Sequence, residues 1–153
     1  MRDPTPRPLP AAPRWLGLSG LLPPAGCVAV ALALPALQPA ATLVGGLYAA
    51  MILSFLGGLW WMDALERRVT FAAPYVLAVA PSLVAWAALL AWLLGGAPPA
   101  SSLVALGAAV LVSPLADRAA SPIVRELPGW WGLRLTLSGG LGTLTLLLAL
   151  LAR

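Results

Sequence analysis

The chain has 153 residues, of which 61% are hydrophobic and only 9% charged, against about 25% charged in an ordinary soluble domain. That apolar content cannot be covered by the polar surface of a conventional globular fold, so the composition excludes one and points to the bilayer. The formal charge of +4 comes without a basic stripe interleaved with aromatics, which argues against nucleic acid as a partner.

The side chains narrow the chemistry further. The sequence contains no His, no Lys and no Asn, and its single Cys, Cys27, lies in an apolar run. A lone Cys forms no internal disulfide, and neither two-His nor CxxC metal spacing exists here. We therefore expect no metal, no cofactor and no catalytic residue, and read Cys27 as a small buried hydrophobe.

In chain order, "MRDPTPRPLPAAPR" carries five prolines and three arginines, which predicts a disordered Pro/Arg-rich tail over residues 1–14. One transmembrane domain over 15–153 follows, an all-α bundle of five helices. The spans predicted from hydropathy are about 15–37, 41–62, 71–94, 100–116 and 130–151, each near the ~17 to 25 residues needed to cross. The first is longer than the apolar region of a signal peptide and is read as a span. Its Pro23 and Pro24, with Pro81 in the third span, predict kinks that help a compact bundle pack. "LQPAAT" and "GGAPPASS" read as short uncharged turns, whereas "DALERRVT" and "DRAASPIVRELPG" carry charge.

Arginine placement orients the bundle, because cytoplasmic loops hold the excess of basic residues. Arg2, Arg7 and Arg14 precede the first span, Arg67 and Arg68 follow the second, and Arg118, Arg125 and Arg134 flank or enter the last two. Only Arg153 falls on the other side, which puts the amino terminus in the cytoplasm and the carboxyl terminus outside. The fourth span is short and carries Pro114, but without it Arg118 and Arg125 would sit on the wrong face. The bilayer itself is one expected partner, and a membrane protein or a second copy of the chain is another. The location implied is a bacterial cytoplasmic (inner) membrane, crossed several times.

Within this frame, Gly46, Ala50, Ser54 and Gly58 recur every four residues and predict a flat face on the second span for close helix packing. Gly132, Thr136 and Gly140 repeat likewise on the fifth and offer a partner surface. Leu47, Met51, Phe55 and Leu59 occupy the other side of the second span. Trp60, Trp61, Trp130 and Trp131 read as interface anchors at one level of the membrane, because the indole ring is apolar while its N–H seeks water or lipid carbonyls. Asp63 and Arg67 are spaced for a surface pair, and the acids, including Glu66, Asp117 and Glu126, read as solvated loop charges rather than an active site. Arg134 differs, lying about one turn inside the fifth span, and is the candidate intramembrane charge.

The residues "YAAMILSFLGGLWW", with "LGLSGLLPP", "VAPSLVAWAALL" and "LPGWWGLRLTL", resemble a family of small bacterial inner-membrane proteins of unknown function that includes a mitochondrial transmembrane protein of animals. "ILSFLGG" is the most specific part, and the resemblance spans most of the chain. It implies a polar His or Arg before the second tryptophan, where Trp60 stands, and Gly in place of Met62. The resemblance implies fold and location but no reaction.

Three functional classes follow. A non-enzymatic scaffold or accessory component of a membrane complex fits the small-residue faces. A carrier or sensor of a lipophilic small molecule is the alternative, since five spans with seven tryptophans superficially resemble the tryptophan-rich sensory proteins, although their motifs are missing. An intramembrane enzyme comes last, because its acids and bases would have to come from the charged rim or from Arg134.

Overall fold

A computed structural model of the chain describes residues 9–120 and 128–152. Among these, the secondary structure is helical: α1 (Ala11–Ser19), α2 (Leu22–Ala33), α3 (Gln38–Glu66), α4 (Ala73–Leu93), α5 (Pro99–Ala120) and α6 (Trp130–Leu151), with a short 3-10 turn at Pro35–Leu37 before α3. Taken with α1 and α2 as one broken unit, five helices are long and apolar enough to cross a membrane. Residues 1–8 of the expected tail, and Arg125, Glu126 and Arg153, lie outside the described residues.

Helix starts at Ala11, inside the stretch predicted to be a disordered tail. Pro13 falls in the first turn, where a backbone N–H has no intrahelical acceptor, so the proline removes no bond there. The predicted kink in the first span is instead a break. Gly20 and Leu21 form a turn, and Pro23 and Pro24 occupy the first turn of α2. Because Pro24 has no N–H, the Gly20 carbonyl four residues earlier loses its helical donor. The Tyr48 hydroxyl on α3 donates to that carbonyl at 2.6 Å and ties the break to the centre of the bundle.

Pro114 in α5 is handled in the same way. It frees the Val110 carbonyl, and the Ser113 hydroxyl donates to it at 2.7 Å. The helix therefore continues past Pro114 to Ala120 instead of ending near residue 116. Asp117, expected in a loop, becomes a helical residue. At the other end of the bundle, the Gln38 side-chain amide donates to the Leu151 carbonyl and joins the start of α3 to the end of α6.

The centre of the molecule is α3, which packs on α2, α4, α5 and α6, while α1 touches α6 more lightly. Its inner face combines with α4, α5 and α6 in a core of Ala49, Ala50, Leu53, Ala85, Ala88, Leu106, Val110 and Leu141. Three close approaches set the helix spacings. The Ala78 carbonyl of α4 lies directly over Gly57, Trp92 and Leu103 cover Gly46, and Leu148 covers Gly45. Between α5 and α6, Gly107 and Gly142 face one another: a Cβ on Gly142 would stand 3.1 Å from the Gly107 carbonyl, and the reverse distance is 3.2 Å. Glycine at these points lets two backbones approach where any side chain would hold them apart.

The small-residue face predicted on the second span holds only in part. Gly46 and Ala50 are buried, but Ser54 and Gly58 point outward. No atom lies within 4 Å of a Cβ built on Gly58. On α6 the predicted stripe is also displaced, with Gly132 and Thr136 exposed and Gly140 meeting Leu21 of the α1–α2 break. The inner face of α6 is instead Arg134, Ser138, Leu141, Gly142, Thr145, Leu148 and Ala149. Gly58→Leu is accordingly expected to cost no stability in detergent, and to gain up to about 1 kcal/mol from the better helix propensity of leucine. A large loss would place Gly58 in a contact.

Candidate functional site

The charged ends of α3, α5 and α6 meet in one buried cluster. On α6, Arg134 is 7% exposed, and on α5 Asp117 is 4% exposed. The Arg134 Nε donates to Asp117 Oδ2, one terminal nitrogen donates to the Ser138 hydroxyl one turn along α6, and the other donates to Ser113 Oγ at 2.9 Å. The local sequence explains why Ser113 accepts here: its own proton is committed to the Val110 carbonyl that Pro114 leaves free. The guanidinium is thus held along its whole fork, the arrangement that makes a buried arginine tolerable.

Trp60 completes the carboxylate. Its indole N–H donates to Asp117 Oδ1, and the ring is 5% exposed. The role predicted for Trp60 as an interface anchor is therefore corrected. Successive residues on a helix point about 100° apart, and Trp61 takes the outward position, edge-on to Tyr75 with ring centroids 5.1 Å apart. Where the family resemblance implies a polar residue, Trp60 supplies a polar N–H to a buried acid.

Asp63 stands one turn beyond Trp60 on α3 and is 7% exposed. Its Oδ2 accepts from Arg67 Nε at 2.8 Å and pairs with a terminal nitrogen at 2.6 Å. Its Oδ1 is buried with no hydrogen-bond partner among the described residues. The predicted pairing with Arg67 is present, but Asp63 and Asp117 are buried inside the bundle and not solvated in loops. Glu66, by contrast, is exposed.

These groups line one end of a cavity of about 530 Å³, a size typical of small-molecule sites. Asp63, Trp60, Asp117, Arg134 and Ser138 form its polar end. The wall beyond them is apolar, made by Leu16 and Leu21 from the first span, Ile52, Phe55 and Leu56 from α3, Val110 from α5, and Leu137 and Leu141 from α6. Tyr48 lines the far end, fifteen residues from Asp63 and so ~22 Å away along α3 at 1.5 Å per residue. Leu16, Phe55 and Leu59 on the rim are exposed, so the cavity opens sideways between α1 and α3.

The other predicted anchors border the same end. Trp130 lines the cavity, and Trp131 lies under Arg118, whose guanidinium carbon is 5.1 Å from the ring centroid. Sequence reasoning singled out Arg134 but not its partners. The signal was available in the spacing of Val110, Ser113 and Asp117, which puts all three on one face once α5 is allowed to run past Pro114.

Fold and site together define a helical bundle with five spans of membrane-crossing length and a buried ion-pair cluster capping an apolar cavity. The chain belongs to the family described as protein of unknown function (DUF3429), whose model matches residues 9–151. No curated protein and no solved structure matches it.

Proposed function

We propose that this is an integral membrane protein that binds a lipophilic small molecule, as a carrier or sensor, in the cavity between α1, α3 and α6. The observation that carries this reading is the cavity itself: apolar along its length, polar at one end, and open through its flank rather than through the end of the bundle. In a bilayer such a mouth faces the acyl chains, so a membrane-dissolved molecule enters without crossing water. The arginine distribution supports an amino terminus in the cytoplasm and a bacterial inner-membrane location, with the polar end of the cavity on the cytoplasmic side. A carboxyl-terminal alkaline phosphatase fusion is then expected to be active, and an inactive fusion beside an active cytoplasmic reporter would overturn the orientation.

The reading is non-catalytic. Asp63 and Asp117 each accept from an arginine, and the Ser113 and Ser138 oxygens accept from Arg134, so neither hydroxyl faces a base that would activate it. The test is native mass spectrometry of the whole protein released from mild detergent. One small apolar molecule retained per chain, and lost in Leu137→Trp, supports the site; a bare chain that also fails to take up added lipophiles excludes it.

The scaffold reading retains one specific support: Ser54, Gly58, Gly132 and Thr136 present small side chains outward, and nothing among the described residues approaches Gly58 or Gly132. A partner helix resting on α3 would be displaced by Gly58→Leu without loss of the fold, as native electrophoresis of the solubilised complex would reveal.

A further inference from the structure

One wall of the cavity is far less firmly held than the others. Leu16 and Gly17 of α1 line it together with Gly20 and Leu21 of the break, and the rest of the lining belongs to α3, α5 and α6. Among the described residues α1 is the one α-helix with no buried residue. Its contact with α6 is light, and its seat there is narrow: Leu137 and Leu133 lie 3.2 and 3.8 Å from a Cβ built on Gly17. No hydrogen bond among the described residues joins Ala11–Ser19 to another helix, and the Ser19 hydroxyl turns back to the Leu16 carbonyl. Few buried contacts and few bonds to the rest of the fold are what let a segment move by itself.

The junction to α2 is built to bend. In a continuous helix the Ser19 and Gly20 carbonyls would accept from the N–H groups four residues on, but Pro23 and Pro24 stand there and have none. Gly20 and Leu21 instead donate three residues back, to the Gly17 and Leu18 carbonyls, each at 3.0 Å. Beyond this turn the chain is fixed. Tyr48 holds the Gly20 carbonyl, Leu21 packs on the core and on Gly140, and the Pro24 side chain is fully buried. Rotation at Ser19 and Gly20 therefore moves α1 alone.

The mouth gives the direction. It lies between α1 and α3, and its rim residues Leu16, Phe55 and Leu59 are exposed. A turn of α1 toward α3 brings these apolar side chains together and shuts the flank of the cavity. In lipid such contacts yield packing and no hydrophobic gain, so a molecule that touches both walls is what tips the balance toward closure.

We propose that α1 is a lid, hinged where the double proline interrupts the first span, that turns toward α3 and closes over a bound lipophile. This rests on the cavity being a ligand site, as proposed above.

The test ties the lid open reversibly, in the full chain in detergent. With Cys27→Ala removing the one native thiol, Gly17→Cys and Leu133→Cys are joined by a short reagent carrying a methanethiosulfonate at each end, which holds α1 on α6 until a reductant frees it. The probe is a dodecane brominated at both ends, so that either orientation brings bromine to Trp60 or Trp130 on the cavity wall, and release into excess unbrominated micelles is read as recovery of tryptophan fluorescence. The tied protein is expected to release the probe about tenfold faster than the same sample after reduction, with uptake little changed, because closure is lost and the mouth is not. Capping each cysteine with methyl methanethiosulfonate adds bulk without a tie and is expected to leave release at the reduced rate. A second measurement needs no variant: on the unaltered chain the probe is expected to slow amide hydrogen exchange in α1. Equal release from tied and reduced protein, equal acceleration by the caps, or unchanged exchange in α1 refutes the lid, while saturable quenching of the unaltered chain keeps the cavity reading. If the unaltered chain shows no saturable quenching, both fall.

Discussion

Arg134→Met is expected to destabilise the protein by about 3 to 5 kcal/mol, the cost of leaving a buried carboxylate without its counter-charge. Asp117 would keep its bond from Trp60 but lose the guanidinium, with only 4% of its surface exposed. The diagnostic comparison is the double variant Arg134→Met with Asp117→Asn. The asparagine carbonyl still accepts from Trp60, and no charge is left unpaired. The double variant is therefore expected to be more stable than Arg134→Met alone, because replacing both members of a buried pair costs far less than removing one. Unfolding in mixed micelles, analysed as a double-mutant cycle, reads this coupling. Additive losses from the two changes would mean that Arg134 and Asp117 are solvated independently, and the cluster described above would not exist.

The ion pair also marks where sequence and structure part. Five apolar spans and the single arginine inside the last of them are legible from hydropathy alone, because length and charge are properties of a segment and need no knowledge of its neighbours. The partner of that arginine is a property of two segments. Asp117 reads as loop while Pro114 is taken to end the fourth span, and only the Ser113 hydroxyl on the Val110 carbonyl explains why the helix continues. Asp63 reads as a surface acid because its partner Arg67 is four residues away and exposed at the helix end, yet the carboxylate itself points inward. Trp60 and Trp61 are indistinguishable in composition, and only the turn of the helix separates a buried donor from an outward ring.

The same geometry yields the second large effect. A stripe of residues spaced by four advances 40° per step on a helix that turns about 100° per residue, so over three steps it drifts ~120° around the axis. Gly46, Ala50, Ser54 and Gly58 therefore begin on the inner face of α3 and end outside it. The contact line instead alternates steps of three and four, through Gly46, Ala50, Leu53, Gly57, Trp60 and Ala64, all buried. At Gly57 the Ala78 carbonyl of α4 occupies the place a Cβ would take, with the Pro81 ring 3.8 Å from it. A backbone oxygen has no rotamer by which to move aside. Gly57→Ala is thus expected to destabilise the protein although alanine is the better helix former by about 1 kcal/mol. Gly57→Leu is expected to reach or exceed the upper end of the about 1 to 3 kcal/mol typical of overpacking. At Gly58, one residue on, the alanine substitution should have the opposite sign, since only the propensity gain operates there. Melting curves of the two alanine variants in the same detergent test the register directly: a stabilised Gly57→Ala or a destabilised Gly58→Ala would show that α3 faces its neighbours differently. Because Trp60 and Asp63 are set by the same helical phase, such a rotation would also carry both out of the polar end of the cavity.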